Sequence, residues 1–364
     1  MLKSNKRTPD PTRPILTHEP HGVFFGQNGG CYAVKSEEKD GHVLVVGRVG
    51  SGKSACIAIP TLRNWNASVF AIDIKGELHE KSKDYKARKN AKKFDPLDEK
   101  SYGYDPYFSF KQKDLKNPAQ IANNIAISLI PLTPDVQEPF WIESAQNVLT
   151  ASILHYHLVE KMSFIETVEQ ILGTPQKELI KKLCGSAEYL AKYYVNSMQD
   201  MEDKTLSSIM TTLSKNIVHF ATDSDLISAL SREDTITPQD LEDDKDVYIN
   251  IPEYLLRQWK NLISLIVNQF LNHFERRSET NAEPILFLLD EFPRLGKITT
   301  MLDGLATLRS KKITICIVIQ NVAQLDVIYG ENERKVIIGT CAYKAVLSAD
   351  DPDTQEYFSR LAGT

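Results

Sequence analysis

The stretch His42-Val43-Leu44-Val45-Val46-Gly47-Arg48-Val49-Gly50-Ser51-Gly52-Lys53-Ser54 decides the fold of this chain. Five residues of strand character run into G-x-x-x-x-G-K-S, the pattern that cradles nucleotide phosphates. Glycine at Gly47, Gly50 and Gly52 lets the backbone curl so that successive N–H groups converge on phosphate oxygens, a path that a β-carbon obstructs. A helix starting near Lys53 adds the positive end of its dipole. The expected nucleotide contacts are Gly47, Gly50, Ser51, Gly52, Lys53 and Ser54, with Lys53 on the β- and γ-phosphates and the Ser54 hydroxyl on Mg²⁺. Such a pattern arises by chance in roughly one chain in a hundred of this length, and its place at a strand end lowers that further.

Working outward, near-continuous apolar runs recur at residues 68–74, 246–251, 284–290, 313–319 and 342–347, with a shorter one at 91–95. Helical stretches at 55–62, 255–276 and 299–309 separate them. Strands without polar alternation are buried on both faces, so the fold class is α/β, a mostly parallel sheet with helices on each side. From about residue 117 to 240 the strand signal disappears. Segments 141–155, 165–171 and 198–220 place apolar residues at helical spacing. The expected division is a loose arm over 1–22, a nucleotide-binding domain over 23–116 and 241–364, and an inserted all-α domain over 117–240.

Composition narrows the class. The 42% hydrophobic and 25% charged shares are those of a soluble globular protein. A net charge of −5 argues against coating nucleic acid through bulk positive charge, though not against a local basic surface. Five scattered cysteines without a C-x-x-C pair fit a reducing compartment, and Cys56, Cys316 and Cys341 read as small core residues. No run approaches the ~18–20 apolar residues of a membrane span. The polar, proline-bearing start is not a signal peptide.

The second half of the site lies downstream. Residues 285–291 read I-L-F-L-L-D-E, a strand ending in two acids. Ligands gather at the carboxyl ends of parallel strands, so Asp290 is expected to hold Mg²⁺ and Glu291 to deprotonate the attacking water. Gln320, closing the next strand, is placed to sense the γ-phosphate or that water. Arg309 reads either as a cation on a helix end or as a finger entering a neighbour's site. Asp73, ending the second strand, lies near the nucleotide in a role left open. Lys81, Lys83, Lys86, Arg88, Lys89, Lys92 and Lys93, with Tyr85 among them, form either a solvated face or a contact for DNA backbone.

These strings resemble the type IV secretion coupling proteins, RecA-like phosphate-loop ATPases of conjugation. The matching text is G-R-V-G-S-G-K-S, A-I-D-I-K-G-E-L, Phe94-Asp95-Pro96, W-I-E-S-A-Q-N-V-L-T, L-F-L-L-D-E-F-P-R-L-G-K-I and L-A-T-L-R-S-K-K-I-T-I-C-I-V-I-Q-N. The similarity covers residues 42–364 and is weakest in the helical insertion. The resemblance implies an all-α domain that receives a relaxase–DNA substrate, and a homo-hexamer with nucleotide at subunit interfaces and DNA in the pore. By position it implies ATP and Mg²⁺ as cofactors, Lys53, Glu291 and Gln320 as catalytic, Ser54 and Asp290 at the metal, and Arg309 as a finger in trans. Relatives begin with transmembrane helices, so this chain is expected to be a cytosolic fragment or an anchorless variant. It would work at the cytoplasmic face of the cell membrane, beside type IV secretion channel proteins of the inner membrane.

The function expected is an ATP-driven motor passing relaxase-bound single-stranded DNA towards a secretion channel. The alternatives are a RecA-like DNA pump or secretion-assembly ATPase outside conjugation, and a non-hydrolysing module that docks relaxase or effector proteins.

Overall fold

The computed structural model describes residues 15–17, 19–28, 30–85, 91–111, 117–280 and 282–363. Three short strands, β1 (Ile15–Thr17), β2 (Val23–Asn28) and β3 (Cys31–Lys35), make an antiparallel sheet in the order β1-β3-β2. Seven more, β4 (Val43–Val46), β5 (Ser68–Asp73), β6 (Lys92–Phe94), β7 (Val247–Asn250), β8 (Ile285–Leu289), β9 (Ile313–Ile319) and β10 (Tyr343–Val346), form the main sheet. Its order is β10-β4-β9-β8-β5-β7-β6, and every neighbouring pair is parallel.

The apolar runs become strands because both faces of this sheet are covered, and the period of two sorts their side chains. Leu44, Val46, Phe70, Ile72, Phe287, Leu289, Ile315 and Ile317 face one core, shared with the helix Leu256–Phe274, where Phe270 packs on Phe70 at 4.8 Å. Val43, Val45, Val69, Ala71, Leu286, Leu288 and Val318 face the other, against Ile57, Ile59 and Leu62 of the helix that follows the phosphate loop.

Among the described residues from Pro118 to Glu242 the regular elements are helices, including Pro118–Leu129, Pro139–Leu158, Phe164–Gly173 and Asp203–Ile217. Ser163 and Glu166 cap the third of these reciprocally. The apolar sides of these helices join the first core, so the insertion and the sheet share one interior.

Two expectations change. The arm expected to be loose contributes Ile15–Thr17 to the small sheet, registered on Tyr32–Val34 of β3; residues 1–14 lie outside the described residues. Thr61 Oγ1 accepts the Phe24 N–H at 2.9 Å and ties that sheet to the phosphate-loop helix. Cys56 is exposed, because the buried stripe of its helix runs through Ile57, Ala58 and Leu62. No helix among the described residues is long and apolar enough to cross a membrane.

Candidate active site

The phosphate loop leaves β4 at Gly47, whose N–H donates to the Ile319 carbonyl at 3.2 Å. A Cβ on Gly47 would lie 2.4 Å from Ser51 Oγ and 3.3 Å from Lys53 Cγ, so a side chain there would displace the serine hydroxyl and crowd the lysine. Gly50 and Gly52 take φ of 77° and 87°, the left-handed region that glycine enters freely. A helix begins at Lys53, π-type over Lys53–Ala58 and then α over Ile59–Asn64. Ser54 sits half-buried in its first turn. The Lys53 side chain is buried and folds back over the loop, its Nζ donating to the carbonyls of Gly47 (2.6 Å) and Arg48 (3.2 Å). Burial pulls its pKa down against the opposing charges of Glu291 and Asp290. Ser51 Oγ is buried with no hydrogen-bond partner among the described residues.

The acid pair stands two strands away, at the end of β8, with β9 between. Asp290 and Glu291 are 5% and 7% exposed. Burial and the neighbouring Glu291 charge push the Asp290 carboxyl up to about 6, against Lys75 and Lys53. Glu291 adopts φ 48° and ψ 40°, a left-handed backbone that costs a residue with a β-carbon roughly 1–2 kcal/mol. That turn aims its carboxylate at β9, where Gln320 Nε2 donates to Glu291 Oε2 at 2.7 Å. The structure thus brings Lys53, Asp290, Glu291 and Gln320 to one edge. Two buried carboxylates and the Ser54 hydroxyl are hard oxygen donors of the kind Mg²⁺ requires, and the Lys53 ammonium is a counter-charge for phosphate.

Behind the acids, Phe292 stacks on Tyr329 with centroids 5.5 Å apart and planes at 13°. The Tyr329 hydroxyl accepts the Ile298 N–H at 3.1 Å. Next to it Gly330, at φ 74°, breaks the helix Ala323–Thr340 and lies against Pro134 of the helical region.

A family model described as "Type IV secretory system Conjugative DNA transfer" matches residues 5–364. The chain belongs to this family. It is 27% identical to VirD4 of Rhizobium radiobacter over 358 residues, covering 94% of this chain and 51% of VirD4. It is 24% identical to the conjugal transfer protein TraG of Escherichia coli over 389 residues, covering 94% of this chain and 58% of TraG. The chain therefore spans about half the length of the curated relatives it matches. Among solved structures, the conjugative coupling protein TrwBdeltaN70 superposes with a TM-score of 0.72 at 18% identity, over 94% of this chain and 76% of that one. VirB4 of Thermoanaerobacter pseudethanolicus gives 0.59 at 13% identity, over 96% and 89%. The fold is the RecA-like one with a helical insertion.

Other residues of this family member fall elsewhere. Arg309 is exposed in the turn Leu308–Lys311 before β9, at the amino edge of the sheet. The seven residues of β9, about 20 Å of strand, separate it from the edge that holds Gln320. It therefore lies away from the nucleotide site of its own chain. Asp73, whose role the sequence left open, is a capping residue: its carboxylate accepts the N–H groups of Glu77, Leu78 and His79 at 3.0–3.1 Å, starting the helix Glu77–Ser82. In the lysine cluster, Lys81 pairs with Glu77, Lys83 with Glu80, Lys92 with Asp240 and Lys93 with Asp95. Lys86, Arg88 and Lys89 lie outside the described residues, as does the Tyr85 side chain. Sequence reasoning missed Lys75, which stands two residues past the end of β5 on the edge of the acid pair. Its signal was present, since a cation just beyond a buried parallel strand is at the ligand edge.

Proposed function

We propose that this chain is the ATP-hydrolysing core of a coupling protein that recruits relaxase-bound single-stranded DNA and drives it into a type IV secretion channel. The observation that carries this reading is the 2.7 Å hydrogen bond from Gln320 to Glu291, on the strand between the phosphate loop and the acid pair. ATP and Mg²⁺ are its cofactors, in keeping with TrwB, which is solved with a non-hydrolysable ATP analogue and with ADP and Mg²⁺.

In this reading Gly47 starts the curl, the amides of Gly50, Ser51 and Gly52 and the Lys53 ammonium grip the phosphates, and Ser54 and Asp290 would hold the metal. Bound Mg²⁺ offsets charge on the β- and γ-phosphates. Glu291 accepts the proton of the attacking water, and Gln320 fixes the orientation of that carboxylate and reports its state to β9. Arg309, facing away from its own site, serves a neighbour's within the homo-hexamer that the family resemblance implies.

Charge distribution favours a division of labour. Residues 117–240 hold 16 acidic against 8 basic side chains, a net −8, whereas the nucleotide-binding domain over 23–116 and 241–364 holds 31 basic against 30 acidic. The acidic helical region thus suits a protein cargo such as relaxase, and DNA meets less repulsion at the near-neutral nucleotide-binding domain. In this reading the assembly works at the cytoplasmic face of the membrane, beside the inner-membrane channel proteins.

Steady-state ATP hydrolysis with and without single-stranded DNA, across protein concentration, tests the proposal. Turnover is expected to rise with DNA, to steepen with concentration and to vanish in Glu291→Gln. Nucleotide binding without turnover would instead make the chain a docking module.

A further inference from the structure

We propose that Lys75 is a second phosphate-binding lysine of the nucleotide site, one that contacts the γ-phosphate and so separates ATP from ADP. The inference rests on the ATPase reading above and adds a residue and a specificity to it.

Register places the residue. β5 and β8 pair Ile72 with Leu289, which sets Asp73 level with Asp290 and carries residues 74–76 past the sheet edge alongside Glu291. The turn they form is fixed from three sides. The Asp73 carboxylate is held by the amides of Glu77, Leu78 and His79. Ile74 is buried at 3% exposure. Gly76 sits at φ 67°, where a Cβ would come within 3.4 Å of Asn250 Oδ1. Of these four residues, Lys75 alone presents a side chain to solvent.

Its charge is felt by both halves of the site, opposing the Lys53 ammonium and favouring ionised Asp290. No ion pair engages it among the described residues. The acid on the adjoining loop, Glu253, is taken by Arg294 at 2.5 Å. A surface lysine that only solvates or staples a face needs no such construction. Here a capping aspartate, a buried isoleucine and a left-handed glycine together hold one unpaired ammonium at the edge where the acids end. Lys53 belongs to the loop that both nucleotides occupy. A cation one strand beyond the acid pair meets the phosphate that only ATP has.

The test is equilibrium binding of a non-hydrolysable ATP analogue and of ADP, each with Mg²⁺, to the wild-type chain, Lys75→Ala and Lys75→Arg. Lys75→Ala is expected to bind the analogue about tenfold more weakly, the scale of one charge-assisted hydrogen bond, with ADP affinity unchanged. Lys75→Arg should keep most of the preference. Equal weakening for both nucleotides would make Lys75 a prop of the turn and overturn the proposal, as would no change for either. If wild type binds neither nucleotide, the ATPase reading itself falls, and this inference with it.

Discussion

Buried charged and polar groups gather at both edges of the seven-stranded sheet, and the two sets are held differently. At the amino edge His42 Nδ1 accepts the Ile315 N–H at 3.0 Å, and Nε2 therefore carries the proton it donates to the Leu305 carbonyl at 3.0 Å. Burial pulls that imidazole down to about 4 and keeps it neutral. Lys35 donates to Thr314 Oγ1 at 2.5 Å and lies over the Trp65 ring, while Asp246 accepts the Val69 N–H at 3.0 Å. At the carboxyl edge Lys53 is turned onto its own loop's carbonyls, Ser51 Oγ has no partner among the described residues, Asp290 is protonated more easily than usual and Glu291 occupies a left-handed backbone. Paired groups hold strands in register. Groups held in tension are of the kind that gathers at ligand sites, since backbone strain and a buried acid persist only where the surrounding fold enforces them.

Arg309 is the residue most able to break this comparison, because it is exposed at the paired edge. Arg309→Ala is expected to lower DNA-stimulated turnover on the order of 10³-fold while leaving nucleotide affinity intact. Mixing it with Glu291→Gln should restore activity, since each variant supplies what its neighbour lacks. Unchanged turnover in Arg309→Ala would leave the amino edge purely structural.

The next effect is on stability. His42→Ala strips partners from a buried amide and a buried carbonyl and is expected to cost about 2–4 kcal/mol in chemical denaturation. Hydrolysis per folded molecule should hold. A loss of activity without a loss of stability would erase the distinction between the edges.

Asp290→Asn should act in the opposite direction. The Asp290 carboxyl is raised from its ordinary 3.8 to about 6, so the folded state binds its proton more tightly than the unfolded chain does. Stability therefore falls as pH rises from about 4 to about 6, and above that range a cost of up to ~3 kcal/mol remains. The asparagine removes it. The nucleotide-free variant should be more stable at pH 7–8, its stability should lose that fall between pH 4 and 6, and Mg²⁺-dependent nucleotide binding should disappear. An unstabilised variant would mean that the carboxyl edge holds its acids without tension.

Much of this was legible in the sequence because it rests on period and position. The runs at 285–289 and 313–319 could only be strands covered on both faces, and acids ending a parallel strand face the ligand. What escaped depended on three-dimensional closure. β1 to β3 are short, with Gly22, Gly26 and Gly30 interrupting any alternation, so their pairing shows only in the fold. Cys56 read as core until the helix register turned it outward. Asp73 looked like a ligand-edge acid, yet three backbone amides claim it, which no spacing rule separates from a metal ligand.

The Phe292–Tyr329 stack gives the site a mechanical reach. Glu291 and Phe292 are consecutive, so any rotation of the backbone that re-aims the carboxylate swings the ring beside it. Tyr329 cannot follow without straining its hold on the Ile298 amide, and the residue after it is the glycine that rests on Pro134. A path two residues long thus connects the buried Glu291 to the helical region, and it ends at a glycine.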